Sequence, residues 1–272
     1  MASPVSDTPR GLTDERPQHM YGDRVHIVDD GWTSAALAKM SAPECSHSDL
    51  VQIVRAVTTR IATEAFGREL PRTERLVSTR MAEKHGAVAT WRGPALDRAA
   101  KVVIIDVIRG GIIPSQTCFE LLSLVHPIEA LRLDHVNMQR IAGADGRVDR
   151  VELLGSKVGG SIEGVTLVIP DPMGATGSTV LRTVAHLREH YGEPRKLILI
   201  PLICTPEFLR ATLDLDLDVV IYTARVDRGM SAPDVLAEVP GARWSEERGL
   251  DADDYIVPGA GGVGEVLNNS WA

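Results

Sequence analysis

Apolar residues along the chain follow two periods, and their alternation predicts a fold before any chemistry is considered. Residues 101–108, 165–169, 196–203 and 218–223 are apolar almost throughout and dominated by Val, Ile and Leu. Such runs belong to strands buried on both faces of a sheet. Between them, apolar positions recur at helical spacing. Leu50, Ile53, Val54, Val57 and Ile61 share one face after a capping signal at 46–49, and Gly67 supplies a stop. Pro114 opens a second helix through Phe119, Leu121, Leu122 and Val125. Val180, Val184, Leu187 and Tyr191 line a third, closed by Gly192, and Thr205-Pro206-Glu207 starts another that runs to about Leu215. Shorter strands are expected at 25–28, ahead of a polar turn at Trp32, and at 128–136. Residues 76–91 read as a β arm whose pairing the pattern does not place, and 140–150 as a charged, mobile loop or hairpin.

Strands that alternate with helices predict an α/β fold, with a central, mostly parallel sheet and helices on both faces. To this core the pattern adds an N-terminal helical and β-arm extension and a C-terminal hood at about 225–272, in which 231–254 is a polar excursion. Residues 1–24 are rich in Pro, Asp, Arg and Ser and are expected to form a flexible tail, leaving 25–272 as a single domain.

Composition narrows the function classes. A net charge of −8 and 4% aromatic content exclude a basic, base-stacking surface for nucleic acid. No apolar run approaches the roughly 20 residues of a membrane helix, and the N-terminus carries no secretion signal pattern. Cys45, Cys118 and Cys204 show neither disulfide nor metal-ligand spacing, and His126, His135, His186 and His190 form no metal-like cluster. A soluble cytoplasmic protein without a resident metal, a nucleic-acid partner or a membrane partner is expected.

The candidate chemistry lies where the buried strands end. The 165–169 strand turns through Pro170-Asp171-Pro172 into Gly174-Ala175-Thr176-Gly177-Ser178-Thr179, and a helix follows at once. Backbone amides and the positive end of the helix dipole make such a loop an anion site, and hydroxyls add donors. With the Asp171 carboxylate beside it, a phosphate on a polyhydroxylated sugar is a suitable ligand; an ordinary capped turn is the plain alternative. The 101–108 strand ends in Arg109-Gly110-Gly111, where a guanidinium and close-approaching amides can meet one anion. Arg109, Asp171 and Thr223 are expected to gather beyond the C-terminal ends of the strands. Gly259, Gly261 and Gly264 match a dinucleotide fingerprint, but no crossover helix and strand follow, so no dinucleotide is expected.

These motifs together resemble the uracil phosphoribosyltransferase family. Residues 171–179 look like its Asp-Pro-Met-x-Ala-Thr-Gly phosphate motif, Val107-Ile-Arg-Gly-Gly111 resembles its pyrophosphate loop, and Ile221-Tyr-Thr-Ala224 with Asp227 is similar to its next signature. Tyr255-Ile-Val-Pro-Gly-x-Gly261 looks like its base-binding hood. The resemblance implies a type I phosphoribosyltransferase fold. It also implies transfer of ribose 5-phosphate from phosphoribosyl pyrophosphate to uracil or a related pyrimidine-like heterocycle, with magnesium and in a homodimer or larger homo-oligomer. It casts Asp171 and Arg109 as catalytic. Arg109, Gly110, Gly111 and Arg140 would face the pyrophosphate, Asp171 the ribose hydroxyls, and Gly174, Ala175, Thr176, Gly177, Ser178 and Thr179 the 5-phosphate. Tyr222, Tyr255, Ile256, Gly261, Gly262 and Val263 would surround the base.

The chain departs from the family in the hood. Where the family reads Asp-Ala-Gly-Asp-Arg after Gly261, this chain has Gly262-Val-Gly-Glu-Val266, so an acid is lost and an alanine has become Val263. That motivates a non-catalytic nucleotide- or phosphoribosyl pyrophosphate-binding relative as the alternative, with a hydrolase using the same sugar pocket behind it.

Overall fold

The structure, a computed structural model, describes residues 18–142 and 148–270, without the side chains of 140–151. The chain enters through β1 (Val25–Ile27) and α1 (Gly31–Ser41). Asp30 caps α1 by accepting the Thr33 N–H at 2.8 Å. Only a turn was expected here. The buried positions of α1, Thr33, Leu37 and Met40, do not stand out as an apolar stripe. The next helix, α2 (His47–Glu69), starts on a Ser46 cap and runs past Gly67, because Phe66 and Leu70 carry its buried face onward.

The β arm pairs with itself. Strands β2 (Arg72–Ser78) and β3 (Thr90–Leu96) form a separate antiparallel hairpin with the short α3 (Ala82–His85) near its tip. The core sheet then builds through β4 (Val102–Ile108), α4 (Ile112–Ser123), β5 (Leu131–Ala142) and β6 (Val148–Lys157). Of the loop and the hairpin considered for 140–150, the structure has a β5–β6 hairpin, and 143–147 lie outside the described residues. After it come β7 (Thr166–Gly174), α5 (Ser178–Tyr191), β8 (Lys196–Cys204), α6 (Pro206–Leu213), β9 (Val219–Thr223) and β10 (Arg225–Val226). The hood adds α7 (Pro233–Leu236) and α8 (Val263–Asn268).

The main sheet has the order β1-β9-β8-β7-β4-β5-β6, with β10 beside β8. Its pairs are parallel except for the edge strand β6. Alternating residues of each strand feed two cores. Ile198, Ile200 and Leu202 of β8 join Leu50, Val54, Val57, Ile61 and Leu122 of α2 and α4, whereas Leu197 and Leu199 join Val184, Leu187, Phe208 and Leu209 of α5 and α6. The sheet is therefore covered on both faces, as continuous apolar runs require. Ile256, Val263 and Leu267 of the hood also belong to the α2–α4 side.

Two expectations change. The strand expected to stop at residue 169 continues as β7 to Gly174, paired with β8 through Asp171↔Pro201 and Met173↔Ile203. Pairing with β4 ends at Val168, so Pro170 and Pro172 fall where β7 has a single partner strand left and their missing N–H groups are tolerated. The flexible tail expected to reach Arg24 does not: Tyr21 is buried, its hydroxyl donates to Glu247 at 2.6 Å, and the Met20 N–H donates to the Pro240 carbonyl. Residues 1–17 lie outside the described residues. Among the described residues no helix is long and apolar enough to cross a membrane.

Candidate active site

Strand order places the site. From β4 the chain crosses through α4 to β5 on one side, while from β7 it crosses through α5 to β8 on the other. β4 and β7 are neighbours, so the loops leaving their C-terminal ends diverge and open a crevice, the usual ligand position in such sheets.

Both loops reach that crevice without bulk. A Cβ added to Gly110 would stand 3.4 Å from Pro172 Cγ and 3.8 Å from Asp171 Oδ1, so the β4 loop lies against the acid of β7. At Gly111 an added Cβ would come within 2.8 Å of the Val107 carbonyl oxygen, which leaves no side chain but hydrogen admissible. Asp171 Oδ1 accepts the Met173 N–H at 2.9 Å, which orients the carboxylate at the head of the following loop. Further along, Gly177 has φ +82° and would place a Cβ 3.2 Å from Ala211 Cβ, so a glycine there lets the loop pack on α6 while entering α5. Its lack of a side chain leaves α5 without a side-chain cap. Thr176 and Ser178 hydroxyls lie 2.8 Å apart at that open end, and the Ala175 carbonyl is held by the Thr205 hydroxyl. Here the Ser178 N–H donates to the Thr176 hydroxyl at 3.2 Å, and a helix N-terminus whose capping residue has no side chain, with hydroxyls around it, is suited to a phosphate.

The hood closes the crevice. Gly264 would bring a Cβ 3.8 Å from Gly110 Cα. Arg109 Nη1 donates to the Ser270 hydroxyl at 2.6 Å and its carbonyl at 3.2 Å, and Asn268 Nδ2 donates to the Arg109 carbonyl at 3.4 Å. The hood turn, which contains a cis Val257–Pro258 bond, is pinned by Asp227. Asp227 is buried, accepts the Gly259 N–H at 2.7 Å, and takes both Nε and Nη2 of Arg225 at 2.6 and 2.9 Å.

The structure thus brings together Arg109, Gly110, Gly111 and Asp171, with 174–179 continuing from β7 and 261–264 covering the β4 loop. It separates others. Tyr222 does not face the crevice: it is fully buried, stacks on His26 at 4.4 Å, and its hydroxyl donates to Glu69 at 2.6 Å. Its side chain falls on the α2 side of β9, where it becomes core. Ile256 and Val263 are 8% and 2% exposed and pack in the same core, so only their backbone groups are left for a ligand, and the larger Val263 side chain adds bulk to the core. Tyr255 is 57% exposed, and the side chain of Arg140 lies outside the described residues. Beside Gly262, an added Cβ would stand 2.6 Å from Glu265 Oε2, so a carboxylate already occupies the space next to that glycine. Ser270 and Asn268 had no local signal, and Gly264 only that of a fingerprint without its context; they reach the loop because the chain folds back over it at α8.

A doubly covered, mostly parallel sheet with small-residue loops at its switch point and a hood above them is the architecture of type I phosphoribosyltransferases. A family model described as uracil phosphoribosyltransferase matches residues 27–242. The uracil phosphoribosyltransferase of Rhodococcus jostii (strain RHA1) is 24% identical over 243 residues, covering 89% of this chain and 97% of that one. That of Thermosipho africanus (strain TCF52B) is 25% identical over 244 residues, covering 90% and 98%. The solved structure of the AQ2163 protein from Aquifex aeolicus has a TM-score of 0.66 at 19% identity, covering 89% of this chain and 97% of that one. The chain belongs to the uracil phosphoribosyltransferase family. Family and fold together assign it phosphoribosyl transfer from phosphoribosyl pyrophosphate to a nucleobase.

Proposed function

We propose that the base is uracil or a related pyrimidine-like heterocycle and that the product is its nucleoside 5′-monophosphate, with pyrophosphate released. The observation that carries this reading is the meeting of Gly110 with Asp171 and of Gly264 with Gly110, which puts an anion loop, a carboxylate and the hood around one crevice. In that crevice the amides and hydroxyls of 175–179 hold the 5-phosphate, and Asp171 accepts from the ribose hydroxyls. Arg109, Gly110 and Gly111 receive the pyrophosphate, with Arg140 as a second cation from the β5–β6 hairpin. Backbone groups at Ile256, Gly261 and Gly262 address the base edge.

The bond between C1 of the ribose and the pyrophosphate oxygen breaks as the base nitrogen bonds to C1, and the nitrogen's proton leaves to solvent. Positive charge grows on the sugar and negative charge on the pyrophosphate. Asp171 stabilises the first and Arg109 the second, so positioning and preset charge supply the rate without a strong base. Arg109 must exchange Ser270 for the pyrophosphate to do so. Magnesium enters as part of the substrate, chelated by its phosphates; among the described residues no group of three or more His, Cys, Asp or Glu could hold a metal. A cytoplasmic homodimer or larger homo-oligomer completes the proposal. Non-catalytic nucleotide binding is the second reading, favoured by Gly262 at the place of an acid and by the hold of Ser270 on Arg109.

The test is a panel of nucleobases with phosphoribosyl pyrophosphate and magnesium, read by mass spectrometry of the nucleotide formed. Uridine monophosphate formation, reduced at least about tenfold in Asp171→Asn without loss of folding, is expected from losing a transition-state charge contact. Nucleotide binding with no turnover on any base would overturn the catalytic reading, and an unaltered Asp171→Asn would remove Asp171 from the site.

A further inference from the structure

Asp106 is a carboxylate inside an otherwise apolar strand, and it is 3% exposed. Its Oδ2 accepts from His135 Nδ1 at 2.8 Å, while its Oδ1 has no hydrogen-bond partner. A buried oxygen without a partner is costly and calls for a reason. This one lies directly beneath the β4 loop: a Cβ on Gly111 would stand 3.1 Å from Oδ1. The register extends the feature across the sheet, because Asp106 pairs with His135 on β5 and His135 pairs with Lys157 on β6. The His135 side chain is 46% exposed, so protons can reach the pair from solvent.

The charged and polar surroundings are few. Arg109 belongs to the loop itself, and the Ser115 hydroxyl of α4 donates to the Gly111 carbonyl. Lys157 faces the pair from β6, and Glu120, farther along α4, is matched by Arg55 of α2 at 3.8 Å. Asp134 and Arg132 point to the other face of β5 and pair with each other at 2.7 Å. Burial raises the Asp106 carboxyl above its ordinary value, with the His135 imidazole and then the Ser115 hydroxyl opposing it. Negative charge brought to the loop must push the pair further toward binding a proton, because a nearby anion disfavours another negative charge.

We propose that Asp106 and His135 are a proton-linked positioning pair for the β4 loop, taking up a proton from solvent when pyrophosphate binds above them. This rests on the reading that Arg109, Gly110 and Gly111 receive pyrophosphate. The added proton, shared across the 2.8 Å contact, takes the pair from a charge of −1 to zero. The loop then meets its anion without a buried negative charge underneath.

Calorimetry of pyrophosphate binding to the intact protein tests this, at pH 8 in two buffers of different ionisation enthalpy, which counts protons taken up. The wild type should take up more protons per pyrophosphate than Asp106→Asn, an isosteric change that removes the charge. His135→Gln, at an exposed side chain, should weaken pyrophosphate binding about tenfold, since it leaves a buried carboxylate uncompensated beneath the loop that meets the anion. Adding Asp106→Asn to His135→Gln should restore the affinity to within about threefold of wild type, a rescue that a purely structural contact would not produce. Equal proton counts in wild type and Asp106→Asn, or no rescue in the double variant, would overturn the pairing while leaving the pyrophosphate reading intact. A wild type that binds no pyrophosphate would overturn both.

Discussion

Replacing Asp227 by Ala tests whether the hood is held by one clamp. Asp227 is 3% exposed and accepts the Gly259 N–H at 2.7 Å together with Arg225 Nε and Nη2 at 2.6 and 2.9 Å; Arg225 Nη2 also donates to the Gly259 carbonyl at 3.1 Å. The substitution leaves the Gly259 amide unpaired and strands a guanidinium whose side chain is 29% exposed. Breaking a buried ion pair by removing one partner costs about 3–5 kcal/mol. Arg225 can reach water with part of its side chain, which lowers that figure, while a buried unpaired N–H adds about 1–3 kcal/mol. A net loss of about 3 kcal/mol is expected, and Asp227→Asn, which keeps one acceptor, should lose roughly half of it.

The functional consequence should be selective. The clamp fixes the turn that leads into 261–264, whereas the loops at 109–111 and 174–179 have their own supports in Val107, Thr205 and α6. Base KM should therefore rise about tenfold or more, with the KM for phosphoribosyl pyrophosphate within about twofold, because only hood contacts are lost. Urea denaturation with the m-value checked, alongside steady-state kinetics in each substrate, measures both effects. A stability loss below about 1 kcal/mol, or equal rises in both KM values, would refute the clamp.

Other perturbations have separable outcomes. Gly177→Ala must hold φ near +82° with a Cβ 3.2 Å from Ala211 and 3.3 Å from Thr212, so a loss of about 1–3 kcal/mol and a raised KM for phosphoribosyl pyrophosphate are expected by thermal melts and kinetics. Burial pushes the Glu69 carboxyl up, but hydrogen bonds from Lys196 and Tyr222 outweigh it and hold it below its ordinary value of 4.5. Its stabilisation is thus complete well above pH 4.5 and is lost as pH falls through the lowered value; Glu69→Gln should flatten that acid limb in denaturation curves. Gly262→Asp places its Cβ 2.6 Å from Glu265 Oε2, so one carboxylate must displace another. Uracil turnover should improve more in Gly262→Asp combined with Glu265→Ala than in Gly262→Asp alone, and the reverse order would show that Glu265 does not compete for that place.

Much of the architecture was legible because burial leaves a one-dimensional trace. Continuous apolar runs at 101–108, 165–169, 196–203 and 218–223 match β4, β7, β8 and β9, and the period around Leu50–Ile61 matches α2. Where burial leaves a weak trace, the pattern does not show the element. In α1 the apolar stripe is indistinct, β7 continues through two prolines beside its remaining partner, and Tyr21 is tied down by Glu247, 226 residues away. Tyr222 sits in a recognisable motif at a strand end. Which face of β9 it takes depends on register, and register turned it toward Glu69.

By itself the sequence determined that strands and helices alternate, that the sheet is covered on both sides, and that two strands end in small-residue loops fit for anions. Tertiary structure decided that β4 lies beside β7, which turns two separate loops into one crevice, and that α8 returns to set Ser270 on Arg109, 161 residues away. It also decided that Asp106, one acid in an apolar strand, meets His135 beneath a loop rather than water. The physical reason is the same in each case. Periodicity records which side chains leave water, while strand order and long-range hydrogen bonds are set by how all the buried faces pack at once.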